Sequence, residues 1–226
     1  MTDRAFTIEV YSDVVCPWCY VGKRRLERAL DQLNGSAQAH ITWRPFQLNP
    51  MIPKDGMDRA TYLEAKFGSL DAFRQLGEHV LAAGAAERIP FAFEKVARTP
   101  NTFLAHRLIW FAEQQGCQNA VVESLFRGYF VEGANIGVPS TLVQLADRSG
   151  MSVEAVERFL QSHEGTEEVK AEQAIGHRLG IRGVPYFVLN QASGISGAQP
   201  VDVFVSAIEK VLIHMSGAAE GSTSRR

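Results

Sequence analysis

Cysteine is scarce in this chain, with three residues among 226. Three cysteines are too few for the dense disulfide framework of small secreted domains, and free thiols are typical of a reducing compartment. We therefore expect a cytoplasmic protein. The same scarcity argues against a structural zinc site, because tetrahedral coordination needs four ligands. The six His residues are scattered and include no second closely spaced pair.

The chain also lacks a strong charge of either sign and any long apolar run. Its formal net charge is −2 and its pI is near 6.3, which gives no electrostatic case for binding nucleic acid or an anionic membrane surface. No stretch approaches the roughly 18 apolar residues of a membrane span, and no basic segment precedes an apolar one at the N-terminus, as a secretory signal requires. We expect neither a nucleic acid nor a membrane as partner.

What is present is a pair of thiols three residues apart, Cys16 and Cys19, separated by Pro17 and Trp18. The pair follows an apolar, strand-like run and opens a segment whose apolar residues recur at helical spacing. Cysteines at i and i+3 of a helix start lie close enough for a disulfide. A cysteine pair in this position is typical of a dithiol redox centre.

The two cysteines are expected to differ in role. Cys16 lies at the first helical turn, where unpaired backbone N–H groups and the positive end of the helix dipole stabilise a negative charge. Pro17 suits that turn because it removes only an N–H that would be unpaired. Cys19 falls on the apolar face of the helix. We predict that Cys16 is the attacking thiolate and that Cys19 resolves the mixed disulfide, with Trp18 exposed for substrate contact.

The order of elements divides the chain into parts. Strands predicted at 6–12 and 41–46 flank the first helix, at 17–33, and form a parallel βαβ unit. A long helical block follows, and the chain then returns to a helix, a hairpin and a last helix. The predicted parts are the N-terminal half of the fold at 1–56, an inserted helical domain at 57–165, the C-terminal half at 166–214 and a disordered tail at 215–226.

Stop and start signals punctuate the helical block. Gly68 and Gly84 are interpreted as the ends of its first two helices, at 58–67 and 69–83. Thr99 is interpreted as the N-cap of the next strongly amphipathic helix. No repeat at the period of a helix pair is evident, which argues against a solenoid.

Five short motifs in this order resemble a known family. The motifs are Asp13-Val14-Val15-Cys16-Pro17-Trp18-Cys19-Tyr20, Trp43-Arg44-Pro45-Phe46 with Leu48-Asn49-Pro50, Asn101-Thr102 with Ala105-His106-Arg107, Gly183-Val184-Pro185-Tyr186-Phe187, and Ser196-Gly197-Ala198-Gln199-Pro200. They resemble the DsbA family of thioredoxin-fold oxidoreductases, in its FrnE-like branch. The resemblance implies an α/β thioredoxin fold with a large all-helical insertion, and a protein-disulfide oxidoreductase or isomerase.

The resemblance also implies how substrate is bound. It places a cis Val184–Pro185 bond opposite the dithiol, with the Val184 backbone pairing with a substrate peptide or glutathione like an added strand. The implied partners are protein or small-molecule disulfides and thiols. Glutathione is an implied co-substrate, and no tightly bound cofactor is expected.

Two other functions stay open. The 2-hydroxychromene-2-carboxylate isomerases and kappa-class glutathione transferases are similar in fold and motifs, but they typically carry Ser at the position of Cys16 and need no thiol at the position of Cys19. The presence of both thiols favours the redox function. The third possibility is a non-catalytic binding or chaperone module.

Four further residues are candidates for the site or near it. Asp13, three residues before Cys16, is a possible proton relay to Cys19 or a cap of the turn that follows the strand. Asn101 and His106 are predicted, mainly from the resemblance, to line the substrate cleft, although a His on an amphipathic helix is often a core residue. Cys117 has no partner in sequence and is interpreted as a structural thiol.

The residues between the thiols predict the redox poise. In the strongly oxidising DsbA type, a His between the cysteines helps to bring the thiolate pKa to about 3.5, against about 8.5 for a free thiol. Pro17 and Trp18 offer no such donor. We therefore predict an intermediate pKa for Cys16 and a couple more reducing than that of DsbA.

Overall fold

The computed structural model describes residues 5–33 and 38–223. Its first three elements are the strand β1 (Ala5–Ser12), the helix α1 (Pro17–Gln32) and the strand β2 (Gln38–Pro45). β1 and β2 pair in parallel along their whole length, which confirms the predicted βαβ unit. The two cysteines therefore lie at the end of β1 and the start of α1.

The middle of the chain is helical, as predicted. Two short strands, β3 (Met57–Asp58) and β4 (Arg98–Thr99), pair antiparallel at its start, and a 3₁₀ turn covers Phe93–Lys95. The helices are α2 (Arg59–Phe67), α3 (Leu70–Ala86), α4 (Phe103–Gln114), α5 (Gln118–Phe130), α6 (Pro139–Asp147) and α7 (Val153–Gln161).

The last part of the chain completes the main sheet. It contains α8 (Thr166–Arg178), the antiparallel hairpin of β5 (Tyr186–Leu189) and β6 (Ser193–Ser196), and α9 (Val201–Thr223). The strand order is β2-β1-β5-β6, with β5 antiparallel to β1. This order of elements confirms the predicted βαβ…αββα arrangement around a helical insertion, whereas the domain boundaries themselves stay a prediction. Within the described ranges, no helix is long and apolar enough to cross a bilayer.

One hydrophobic core joins the sheet to the helical block. It includes Ile8 of β1, Leu26 of α1 and Leu125 of α5, which are all buried. The Tyr20 ring of α1 stacks on Phe126 of α5, with 5.0 Å between the ring centroids and 10° between the planes. Burial of such large side chains stabilises by about 1.5–3 kcal/mol each, so the block is held firmly against α1.

Two signals in the helical block were interpreted wrongly. Gly84 does not end its helix: α3 continues to Ala86, and a Cβ on Gly84 would meet the Phe91 ring at 2.4 Å. The glycine therefore permits close packing. Thr99 is not an N-cap, because it pairs with Met57 in the small sheet and its hydroxyl accepts from Arg59 Nη1. The residue at the N-cap of α4 is Thr102.

The C-terminal tail also differs from the prediction. Helix α9 continues to Thr223, so the segment from 215 onward is not disordered up to that residue, and 224–226 lie outside the described residues. The prediction was based on the lack of large apolar side chains. A segment without large apolar side chains cannot pack against a core, but it can still form a helix. Ala218, Ala219 and Glu220 have high intrinsic helix propensity.

Candidate active site

The dithiol lies where α1 begins. Cys16 is the N-cap residue, in extended conformation (φ −93°, ψ 112°), and Pro17 opens the helix, as predicted. The Cys16 N–H donates to Asp13 O at 2.9 Å, and the Cys19 N–H donates to Cys16 O at 3.0 Å. Both cysteines are free thiols; Cys16 is 5% exposed and Cys19 is 0% exposed. Only Cys16 is therefore open to an incoming group.

The two thiols lie in different electrostatic environments, which shift their pKa values in opposite directions. The hydrogen bond from the Cys19 thiol lowers the pKa of Cys16, and the backbone N–H groups of Cys19 and Trp18 act in the same direction, against burial and the Asp13 charge. Burial raises the pKa of Cys19 well above that of a free thiol, and its hydrogen bond with Cys16 adds to the effect. Of the two thiols, Cys16 is therefore the one that these surroundings favour as a thiolate.

The loop before β5 faces Cys16. The Cys16 thiol donates to Val184 O, with 3.6 Å between sulfur and oxygen, and the Val184–Pro185 peptide bond is cis, as the resemblance implied. Gly22 of α1 allows this approach: a Cβ there would lie 3.0 Å from Pro185 Cγ and 3.1 Å from Phe187 Cζ. A larger residue at 22 would push α1 away from the loop.

A cavity of about 690 Å³ opens beside Cys16. One wall comes from the dithiol turn, with Pro17 and Trp18, and the other comes from α2, α3 and the turn at Phe93–Lys95. The lining is mainly apolar and includes the basic side chains Arg59, Lys66 and His79. A cavity of this size suits a side chain or a small ligand.

Comparison with known proteins gives the family. A family model described as a DSBA-like thioredoxin domain matches residues 7–209. The chain belongs to that family. A probable DsbA oxidoreductase from Streptomyces coelicolor is 34% identical, with a TM-score of 0.82 over 91% of this chain and 89% of that one.

Two other relatives differ more in sequence. YwbO of Bacillus subtilis is 28% identical over 204 residues, which is 89% of this chain and 94% of that protein. The cytosolic disulfide reductase DsbM of Pseudomonas aeruginosa, in its structure with GSH, is 17% identical, with a TM-score of 0.64 over 91% of this chain and 98% of that one. At this identity, the comparison with DsbM shows that the two chains share a fold.

In this DsbA-like chain, two predicted substrate contacts lie outside the cavity. The Asn101 amide N–H donates to Ile52 O at 2.6 Å, and its oxygen accepts from Gln47 Nε2 and the Phe103 N–H. Asn101 therefore fastens the loop after β2 to the start of α4. His106 is 2% exposed. The described lining of the cavity includes neither side chain, and a part for these two residues in binding substrate stays a prediction.

Asp13 lies behind the dithiol and is 1% exposed. Its Oδ2 accepts from the Leu48 N–H at 2.8 Å, so the carboxylate joins the turn before Cys16 to the loop after β2. Its Oδ1 lies 3.5 Å from His106 Nε2. A proton relay through Asp13 stays a prediction.

The remaining thiol, Cys117, is the N-cap residue of α5. The Cys117 thiol donates to Ala112 O at 3.7 Å, at the end of α4, which fits a structural role. Among the residues that the structure describes, no group of three or more His, Cys, Asp or Glu side chains is placed to hold a metal ion.

Sequence reasoning missed the far wall of the cavity. Tyr62 and Leu63 of α2, Val80 of α3 and Phe93 line it, although they lie far from the cysteines in sequence. Their apolar spacing fits any amphipathic helix. No local signal distinguishes a residue that faces a cavity from one that faces a core.

Proposed function

We propose that the protein is a thiol:disulfide oxidoreductase in which Cys16 is the nucleophile and Cys19 the resolving thiol. The observation that carries the proposal is the contrast between the two thiols. Cys16 has a lowered pKa and lines a cavity, whereas Cys19 has a raised pKa and lies buried one helical turn further on. A nucleophile needs thiolate character and access, whereas a resolving thiol needs only proximity to its partner.

The reaction proceeds in two exchanges. The Cys16 thiolate attacks one sulfur of a substrate disulfide, so that a mixed disulfide forms, and the leaving sulfur takes a proton from solvent. Cys19 then loses its proton and attacks the Cys16 sulfur, and the second substrate sulfur leaves with a proton. Two electrons pass from the dithiol to the substrate, and the Cys16–Cys19 disulfide remains. The reverse sequence would oxidise a substrate dithiol.

Two features support binding of substrate near Cys16. Val184 lies before the paired part of β5, which begins at Tyr186. Once Cys16 is ionised, its sulfur no longer donates to Val184 O, and the Val184 backbone can pair with an extended segment. The cavity beside Pro17 and Trp18 takes an apolar side chain. Trp18 lines the cavity and is 36% exposed, so a substrate peptide that enters the cavity would pass it.

Glutathione is the thiol that we propose as co-substrate, returning the protein disulfide to the dithiol. The fold is shared with DsbM, whose structure contains GSH, and Arg59 and Lys66 lie in the cavity lining where glutathione carboxylates would approach. The small number of cysteines and the likeness to a cytosolic reductase support a cytoplasmic location.

The function is tested by reduction of insulin disulfides with dithiothreitol as electron donor. We expect the wild-type protein to accelerate precipitation of the insulin chains well above the uncatalysed rate. The Cys117→Ser variant, a matched control outside the site, should keep the wild-type rate. The same preparation should show no isomerisation of 2-hydroxychromene-2-carboxylate with glutathione. Isomerase activity without insulin reduction would favour the second candidate function instead.

A further inference from the structure

A buried pair of titratable groups lies behind the dithiol. His106 Nε2 of α4 and Asp13 Oδ1 are 3.5 Å apart, and the two side chains are 2% and 1% exposed. Neither atom has a hydrogen-bond partner of ordinary geometry elsewhere in the described part of the chain. A buried carboxylate oxygen needs a donor or a positive charge, and the imidazole is the group placed to supply it.

The position of Asp13 is fixed from three sides. Its backbone oxygen accepts from the Cys16 N–H, its Oδ2 accepts from the Leu48 N–H, and Oδ1 faces His106. The carboxylate therefore cannot turn away from the dithiol, and its charge acts on the thiols unless a neighbour compensates it.

The Asp13 charge opposes the chemistry of the site. It raises the pKa of Cys16, whereas thiolate attack needs that sulfur ionised. Titratable groups from three elements surround Asp13. They are Cys16 at the N-cap of α1 and Cys19 within it, His106 of α4, and Tyr129 of α5, whose hydroxyl accepts from Arg59 of α2.

We propose that His106 is a positioning residue of the dithiol: it holds the Asp13 carboxylate and offsets its charge, so that the Cys16 sulfur stays nucleophilic. Either form of the ring can do this, by an N–H at Nε2 directed to Asp13 or by the full charge of an imidazolium. The inference is based on the proposed function, since it assigns His106 a part in preparing the thiolate. It also explains why a polar ring is buried in α4.

A double-mutant cycle tests the inference. The variants are His106→Leu, His106→Gln, Asp13→Asn and the double variant His106→Leu/Asp13→Asn. The measurement is the rate at which iodoacetamide alkylates Cys16 across pH, with the labelled peptide identified by mass spectrometry. This readout does not depend on turnover of any disulfide.

We expect His106→Leu to raise the apparent pKa of Cys16 by roughly half to one unit, so that alkylation below that pKa slows about three- to tenfold. His106→Gln keeps an N–H donor and should restore much of the rate. In the Asp13→Asn background, the His106→Leu change should have little further effect, because the charge that it offsets is gone.

If His106 had a purely structural role, its replacement by Leu would lower the melting temperature both in the wild-type protein and in the Asp13→Asn variant. The pH dependence of Cys16 alkylation would then stay unchanged. That result would overturn the inference, as would an equal shift with and without the Asp13 charge. The failure of the proposed function is separate: wild type would then show ordinary alkylation of Cys16 but no reduction of insulin.

Discussion

Replacement of Cys16 by Ser is expected to reduce insulin-disulfide reduction to the uncatalysed rate. The serine hydroxyl is not ionised near neutral pH, so the helix-start N–H groups have no thiolate to stabilise and no mixed disulfide can form. Cys19 cannot replace the lost nucleophile, since it is 0% exposed and burial raises its pKa well above that of a free thiol.

The loss should be specific to chemistry. Ser is close in size to Cys, and Cys16 ends a turn held by backbone bonds to Asp13 and Cys19, so we expect the circular dichroism spectrum and melting temperature to change little. The Cys117→Ser protein serves as the matched control. Activity of the Cys16→Ser variant above a few per cent of the control would mean that another thiol attacks.

Replacement of Cys19 should have an equally large but different effect. Without a resolving thiol, the first exchange proceeds and the second cannot, so each molecule reacts about once and then stays in a mixed disulfide. A non-reducing gel or intact mass measurement should show the adduct accumulating on Cys16. The adduct should disappear when dithiothreitol is added.

Two substitutions at this position separate resolution from activation. Cys19→Ser keeps a hydroxyl donor to the Cys16 sulfur, whereas Cys19→Ala removes the side-chain hydrogen bond that contributes most to lowering the pKa of Cys16. Both should trap the adduct, but Cys19→Ala should form it more slowly at neutral pH. Equal rates would show that the backbone N–H groups of Cys19 and Trp18 are sufficient to activate Cys16.

The parts of the site that the sequence predicts are those set by local chemistry. Cys16, Pro17 and Cys19 lie within one helical turn, so residue type and spacing are enough to place them. Gly68 ends α2 in the left-handed conformation that glycine favours. The wrong predictions depend on tertiary contacts. Gly84 was interpreted by residue type as a stop, although Phe91, which lies against it, belongs to a later segment.

Contacts between segments that are far apart in sequence could not be predicted from the sequence. The 3.5 Å approach of His106 to Asp13 joins α4 to the turn after β1, and no spacing in the sequence encodes it. The cavity wall formed by α2 and α3 is another example, because a helix with one apolar face carries no mark of what covers that face. The cis Val184–Pro185 bond was predicted from the family resemblance, because residue types alone would not predict it.

The most direct test of the account is the pH dependence of alkylation of each cysteine in the reduced wild-type protein. Iodoacetamide is added in brief pulses across pH, and the labelled peptides are identified by mass spectrometry. We expect Cys16 to react first, with an apparent pKa below that of a free thiol, while Cys19 stays unlabelled until the protein unfolds. Labelling of Cys19 before Cys16, or a Cys16 pKa at or above the free-thiol value, would contradict the assignment of Cys16 as the nucleophile.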